Sequence, residues 1–152
     1  MANAGMPNQI EIYLHQKSRS SSEATIRQHR VLVDRPVVKG GEDTGPMGGE
    51  LFLAAIGGCF MSTLLAAIRT REAPITDVSA KVTGALADAP ARFVSIELLV
   101  TSEDADPEVF GRFVDIAERG CIMMNTLRDK LEITVGRGDF AAASAPGSDV
   151  DR

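Results

Sequence analysis

The chain is expected to fold as an α+β protein with the element order ββαββαβ. Three features carry that expectation: short stretches that alternate apolar and polar residues, one almost wholly apolar run from Leu51 to Ile68, and a helix start at Asp106-Pro107-Glu108. Alternation with a period of two marks a half-buried strand, whereas apolar residues at three- and four-residue steps mark a helix. At 152 residues the sequence fits one domain with a real core. That domain is placed at 9–135, with a flexible N-terminus over 1–8 and a disordered tail over 136–152, rich in Gly, Ala, Ser and Asp. Aromatic residues make up 5% of the chain and Trp is missing, so the core must be packed from aliphatic side chains and Met.

Each element has its own signal. Gln9–Gln16 places Ile10, Ile12 and Leu14 on one face. A polar turn over Lys17–Glu23 leads to a second strand from about Ala24 to Val33, and the two form a hairpin. The glycine-rich stretch Gly40–Gly49 lacks the Gly-Lys-Ser/Thr ending of a phosphate loop and reads as a flexible entry to the apolar helix. Glu50 suits that helix's first turn, Arg69 and Arg71 suit its end, and Pro74 stops it. Strands at Val78–Gly84 and Phe93–Thr101 follow, joined by a small-residue turn over Ala85–Ala91. Asp106 is the N-cap of the next helix and Pro107 its first residue. Phe110, Phe113, Val114, Ala117 and Cys121 give that helix one apolar face, which Gly120 is expected to weaken or kink. Leu131–Val135 is the last strand. The tripeptide Arg137-Gly-Asp139 matches an adhesion motif, but three residues carry no weight.

Composition removes several functions. A net charge of −5 without a long basic cluster does not suit nucleic acid, whose phosphates need neutralising. The run Leu51–Ile68 reaches the length of a membrane span, yet it holds Gly57, Gly58, Ser62 and Thr63 and has amphipathic strands on both sides. A helix apolar all round is equally the buried centre of a globular protein, and no membrane partner is expected. One small sheet covers only one side of such a helix, so a second helix and a second subunit are expected to cover the rest, making a homodimer. No charged-then-apolar leader opens the sequence, which points to a cytoplasmic, reducing compartment.

In such a compartment two cysteines are more often catalytic or redox-active than a structural staple. Cys59 lies about two and a half turns past Glu50, too deep for the helix terminus to ionise it. Burial would keep the thiol inert, so a nucleophilic Cys59 needs a cation brought from elsewhere in the fold. Two glycines before it, Gly57 and Gly58, each cost about 1 kcal/mol in a helix relative to Ala. They signal close backbone approach, room for a ligand, or a plain helix crossing. Cys121 lies on a helical apolar face, where packing could bring both sulfurs together. The pair also reads as two small core hydrophobes. Cys59, Cys121, His15 and His29 match no zinc spacing, and no Gly-x-Ser-x-Gly elbow exists.

The run Gly40-Gly-Glu-Asp-Thr-Gly-Pro-Met-Gly-Gly-Glu-Leu-Phe-Leu-Ala-Ala-Ile-Gly-Gly-Cys59 resembles the signature of the OsmC/Ohr family, in which a Gly/Pro-rich loop precedes Glu-Leu-Leu-Leu-Ala-Ala-Leu-Gly-Gly-Cys. Ala117-Glu-Arg-Gly-Cys-Ile-Met-Met-Asn-Thr-Leu127 is similar to the family's second-cysteine segment, and the resemblance covers about Gln9 to Val135. It implies an OsmC-like fold, an intertwined homodimer with two central helices packed against sheets and active sites at the interface. It also implies a thiol peroxidase acting on organic hydroperoxides, with Cys59 as the attacking thiol and Cys121 as its resolving partner. A dithiol such as a lipoyl group would reset the enzyme, and no metal, nucleotide or other cofactor would take part. By the same resemblance Arg19, after the first strand, holds the thiolate, with Arg30 as second choice, and Glu50 orients the arginine. The resistance branch carries its glutamate ten residues before the first cysteine, where Gly49 stands here. Glu50 is nine before it, as in the broader group, and Ile122 replaces the proline usual after the second cysteine. The alternative reading is a non-catalytic stress or small-molecule-binding dimer of the same fold, with structural cysteines.

Overall fold

The computed structural model describes residues 8–141. The expected flexible N-terminus, except Asn8, and residues 142–152 of the expected tail lie outside the described residues. The architecture is α+β, as the sequence pattern indicates, and two compact units divide the chain at Phe52/Leu53.

In the first unit, β1 (Tyr13–Gln16), β2 (Ser22–Ile26) and β3 (His29–Val33) form an antiparallel sheet with β2 in the centre. The single strand expected over 24–33 is thus a hairpin. Ile26 pairs with His29 across the two-residue turn Arg27-Gln28, in which Arg27 takes a φ of 55°. No Gly, Asn or Asp marks that turn, so nothing in the local pattern breaks the strand. The first strand is shorter than expected, and Ile10, Ile12 and Leu14 are all exposed on the single chain rather than half-buried.

The glycine-rich stretch is not a loose entry. Asp34, 3% exposed, accepts the backbone N–H groups of Arg35 (2.7 Å), Glu42 (3.2 Å) and Thr44 (3.0 Å) and the Thr44 hydroxyl (2.8 Å). A carboxylate so surrounded by donors gathers the loop around itself. Gly41 passes so close to the Arg35 carbonyl that a Cβ there would stand 1.8 Å from its oxygen. The Thr44 N–H holds the Asp34 carboxyl well below the ordinary carboxylate range; burial opposes it, and the Arg35 N–H and Thr44 hydroxyl reinforce it. A folded-state pKa below the unfolded one gives stability that is present above the ordinary carboxylate range and is lost as pH falls through the folded value. Asp34→Asn is therefore expected to melt lower than wild type at pH 7, and to lose less of its remaining stability between pH 7 and pH 2. Thermal melts across that range check it; parallel curves would contradict the role of the charge.

The helix α1 (Gly48–Thr70) starts in the first unit and runs on into the second, with Glu50 in its first turn and Arg69 in its last. By length and composition it could cross a membrane. In the second unit, however, Ile56, Phe60 and Leu64 are fully buried, as a core helix requires. There β4 (Val78–Ala87) and β5 (Arg92–Ser102) form an antiparallel hairpin with a bulge at Ala85/Leu86, so both strands outrun their expected limits. The chain crosses through α2 (Pro107–Gly120) and α3 (Ile122–Leu127) to β6 (Glu132–Arg137), which lies parallel to β5. Ile96, Leu98 and Val100 of β5 and Phe110, Phe113, Val114 and Ala117 of α2 complete the core.

Asp106 caps α2 as expected, accepting from the Glu108 and Val109 N–H groups at 3.0 Å, with Pro107 first in the helix. The expected kinked helix through Cys121 is instead two helices, because α2 ends at Gly120. Gly136 and Arg137 belong to β6 rather than to a tail. Arg137 is no adhesion loop: its guanidinium donates to the Pro107 carbonyl, while Asp139 accepts from the Thr101 hydroxyl at 3.3 Å.

Candidate active site

The two cysteines meet. Cys121 donates its thiol proton to the Cys59 sulfur at 3.3 Å, although 62 residues separate them, and both are free thiols. A disulfide is about 2.05 Å long, so the pair is in contact and unbonded. Cys59 stands in the middle of α1. Cys121 is not on a helical face, which corrects the sequence reading: it is the extended residue between α2 and α3, with φ −76° and ψ 123°.

The two sulfurs have unequal surroundings. Cys121 is fully buried, while Cys59 is half-buried. Burial pushes the Cys121 thiol up from its ordinary value; the N–H groups of Met124 and Met123 pull the other way, and the Cys59 sulfur adds to the rise. The net direction is upward, so Cys121 is held as a protonated thiol. Of the two residues, Cys59 is the more accessible.

Gly57 and Gly58 have separate explanations. A Cβ on Gly57 would stand 2.8 Å from Val82 Cγ2, so this glycine lets β4 approach α1, whereas Gly58 has nothing within 4 Å. Gly58 opens on a groove of ≈ 700 Å³ lined by Ala54, Met61, Val78, Ala80, Val82 and Phe140 among others. Ala54, Gly57, Gly58 and Met61 share one face of α1. At about 100° per residue, Cys59 points to another face, so the groove and the sulfurs are different places.

The other expected site residues lie in the first unit. Arg19 is exposed, in the turn between β1 and β2, where its neighbours Ser18 and Ser20 donate to Glu42 at 2.7 and 3.3 Å. Arg30 is engaged locally on the sheet, with Glu23 at 3.3 Å and Thr25 at 3.0 Å. Glu50 accepts the Met47 N–H at 2.8 Å and so caps α1, a job for a helix-start carboxylate. Among the described residues no group of three or more His, Cys, Asp and Glu could hold a metal ion. Sequence reasoning missed Thr63, whose hydroxyl donates to the Cys59 carbonyl at 3.0 Å. A Thr four residues after a helical Cys was the available signal.

Comparison with known proteins agrees with this architecture. The fold is similar to that of an OsmC-like protein from Mycoplasma pneumoniae, at 22% identity and a TM-score of 0.72, covering 88% of this chain and 98% of that one. It is also similar to an organic hydroperoxide resistance protein OsmC from Legionella pneumophila (18% identity, TM-score 0.69, covering 89% and 100%). A third similar structure is the organic hydroperoxide resistance protein OhrB of Bacillus subtilis (18% identity, TM-score 0.64, covering 85% and 98%). No curated protein gives a significant sequence match. Residues 40–136 match the family described as OsmC-like protein, a span that starts at the Asp34-bound loop, takes in both cysteines and ends in β6; the chain belongs to the OsmC-like family.

Proposed function

We propose that this protein is a thiol peroxidase that reduces organic hydroperoxides, within one OsmC-like domain over 9–135. The observation that carries the reading is the 3.3 Å contact in which a fully buried Cys121 donates to a more accessible Cys59. Membership of the OsmC-like family supports it. So does similarity in fold to proteins named for organic hydroperoxide resistance.

In the first step the Cys59 thiolate attacks a peroxide oxygen. The O–O bond breaks, an alcohol leaves after taking up a proton, and Cys59 becomes a sulfenic acid. In the second step Cys121 attacks the sulfenic sulfur and water leaves, closing the disulfide. An external dithiol, such as a reduced lipoyl group, then attacks the Cys59–Cys121 disulfide, supplies two electrons and two protons, leaves as its own cyclic disulfide and returns both thiols. Arg19 is proposed to supply the cation that holds the Cys59 thiolate, with Arg30 as the second choice, and Glu50 to orient it. The active unit is proposed to be a cytoplasmic homodimer.

The test is consumption of cumene hydroperoxide by the pure protein with a dithiol reductant. Turnover above the protein-free rate is expected. A folded protein that consumes none sinks the peroxidase and returns attention to the apolar groove beside Gly58 as a binding site.

A further inference from the structure

The residue before Cys121, Gly120, faces Thr63 of α1. Thr63 lies four residues beyond Cys59 on the same face of α1, and its hydroxyl bonds the Cys59 carbonyl at 3.0 Å. That bond fixes the β-branched side chain in one orientation. Its methyl, Cγ2, faces Gly120: a Cβ added there would stand 3.1 Å from it. Gly120 ends α2, and the next residue is Cys121, whose sulfur is 3.3 Å from that of Cys59. One element thus carries a sulfur and a methyl stop, and the other carries the bare backbone and the second sulfur.

We propose that Thr63 and Gly120 are positioning residues for disulfide formation: the Thr63 methyl facing Gly120 sets how near the Cys121 sulfur comes to the Cys59 sulfur. The inference deepens the peroxidase reading and rests on it for its place in the cycle. In that step the peroxide has already oxidised Cys59 to the sulfenic acid. The Cys121 sulfur supplies the electron pair of the new S–S bond, the S–O bond of Cys59 breaks, and the departing hydroxide leaves as water with the Cys121 proton. Closing from contact to a bond of about 2.05 Å needs a movement of roughly 1 Å, so a few tenths of an ångström at Gly120 is a sizeable part of it. Gly120 has no positive φ, so Ala there meets the Thr63 methyl and not a strained backbone.

Gly120→Ala adds a methyl to the contact, Thr63→Ser removes one and keeps the hydroxyl, and the double variant moves the methyl from one side to the other. The readout is the equilibrium between the Cys59–Cys121 disulfide and dithiothreitol, which needs no peroxide, with thermal melts to show that each variant is folded. Gly120→Ala is expected to lower the disulfide equilibrium constant about tenfold, and Thr63→Ser about threefold. The double variant is expected to return to near the wild-type value, a coupling that general destabilisation does not produce. An unchanged constant in Gly120→Ala, a double variant as poor as the two losses added, or a wild type that forms no internal disulfide overturns the proposal. Should Gly120→Ala fail to fold, Thr63→Ser decides alone, and a wild-type constant there overturns it. The expected pattern together with no hydroperoxide consumption supports the positioning pair while sinking the peroxidase, so the two failures are told apart.

Discussion

Cys59→Ser is expected to abolish hydroperoxide turnover, a loss of roughly a thousandfold or more, while Cys121→Ser is expected to complete one oxidation per chain and then stall. The asymmetry follows from burial. Cys59 is the half-buried residue and Cys121 the fully buried one, so Cys59 is the one expected to meet a hydroperoxide. Without Cys121, the sulfenic acid on Cys59 has no thiol at 3.3 Å to resolve it, so the cycle halts at that stage. Single-turnover peroxide consumption, with dimedone to trap the sulfenic acid and mass spectrometry to place it, reads both outcomes. Equal activity in the two variants, or a dimedone adduct on Cys121 of the wild type, would reverse the assignment of roles.

Phe60→Ala is expected to destabilise the folded chain by about 3–5 kcal/mol, the range for a fully buried Phe whose cavity does not collapse. Phe60 follows Cys59 in α1 and has no exposed surface. With aromatics at only 5% of the sequence, few side chains can refill the space. Set against the 5–15 kcal/mol of a typical domain, that is a large share of the total. Urea unfolding of the reduced protein measures it, and a change under about 1 kcal/mol would mean that the α1 core is less tightly packed than its burial indicates. Because Cys59 is the residue before it, a partly unfolded Phe60→Ala protein should also expose Cys59 to alkylation sooner than wild type.

Elements defined by their own residues were legible in the sequence. Asp106 followed by Pro107 and Glu108 announces a cap, and the structure has that cap with both N–H bonds made. The apolar run ending at Arg69 before Pro74 is one helix, as read. Elements that depend on backbone geometry were less so. Arg27 takes a positive φ without any of the residues that favour it, so a hairpin looked like a strand. Asp34 has an ordinary turn sequence around it. Its role emerges only when the N–H groups of residues 35, 42 and 44 converge on one carboxylate. At the site, the identity of both cysteines came from motif resemblance, but their contact spans 62 residues and no spacing rule could supply it. Cys121 was misplaced onto a helix because its apolar periodicity continues through Gly120, where the backbone turns extended.

That same separation has a thermodynamic side. A bond between residues 59 and 121 would tie off a loop that holds the β4–β5 hairpin and the whole of α2. In the chain-entropy account, closing a loop of that size removes enough freedom from the unfolded chain to favour the folded one by about 4 kcal/mol. A chain with that bond would then be harder to unfold than one with both thiols free. Copies carrying that bond would be the ones proteases open most slowly. Reduction releases that constraint together with the two thiols.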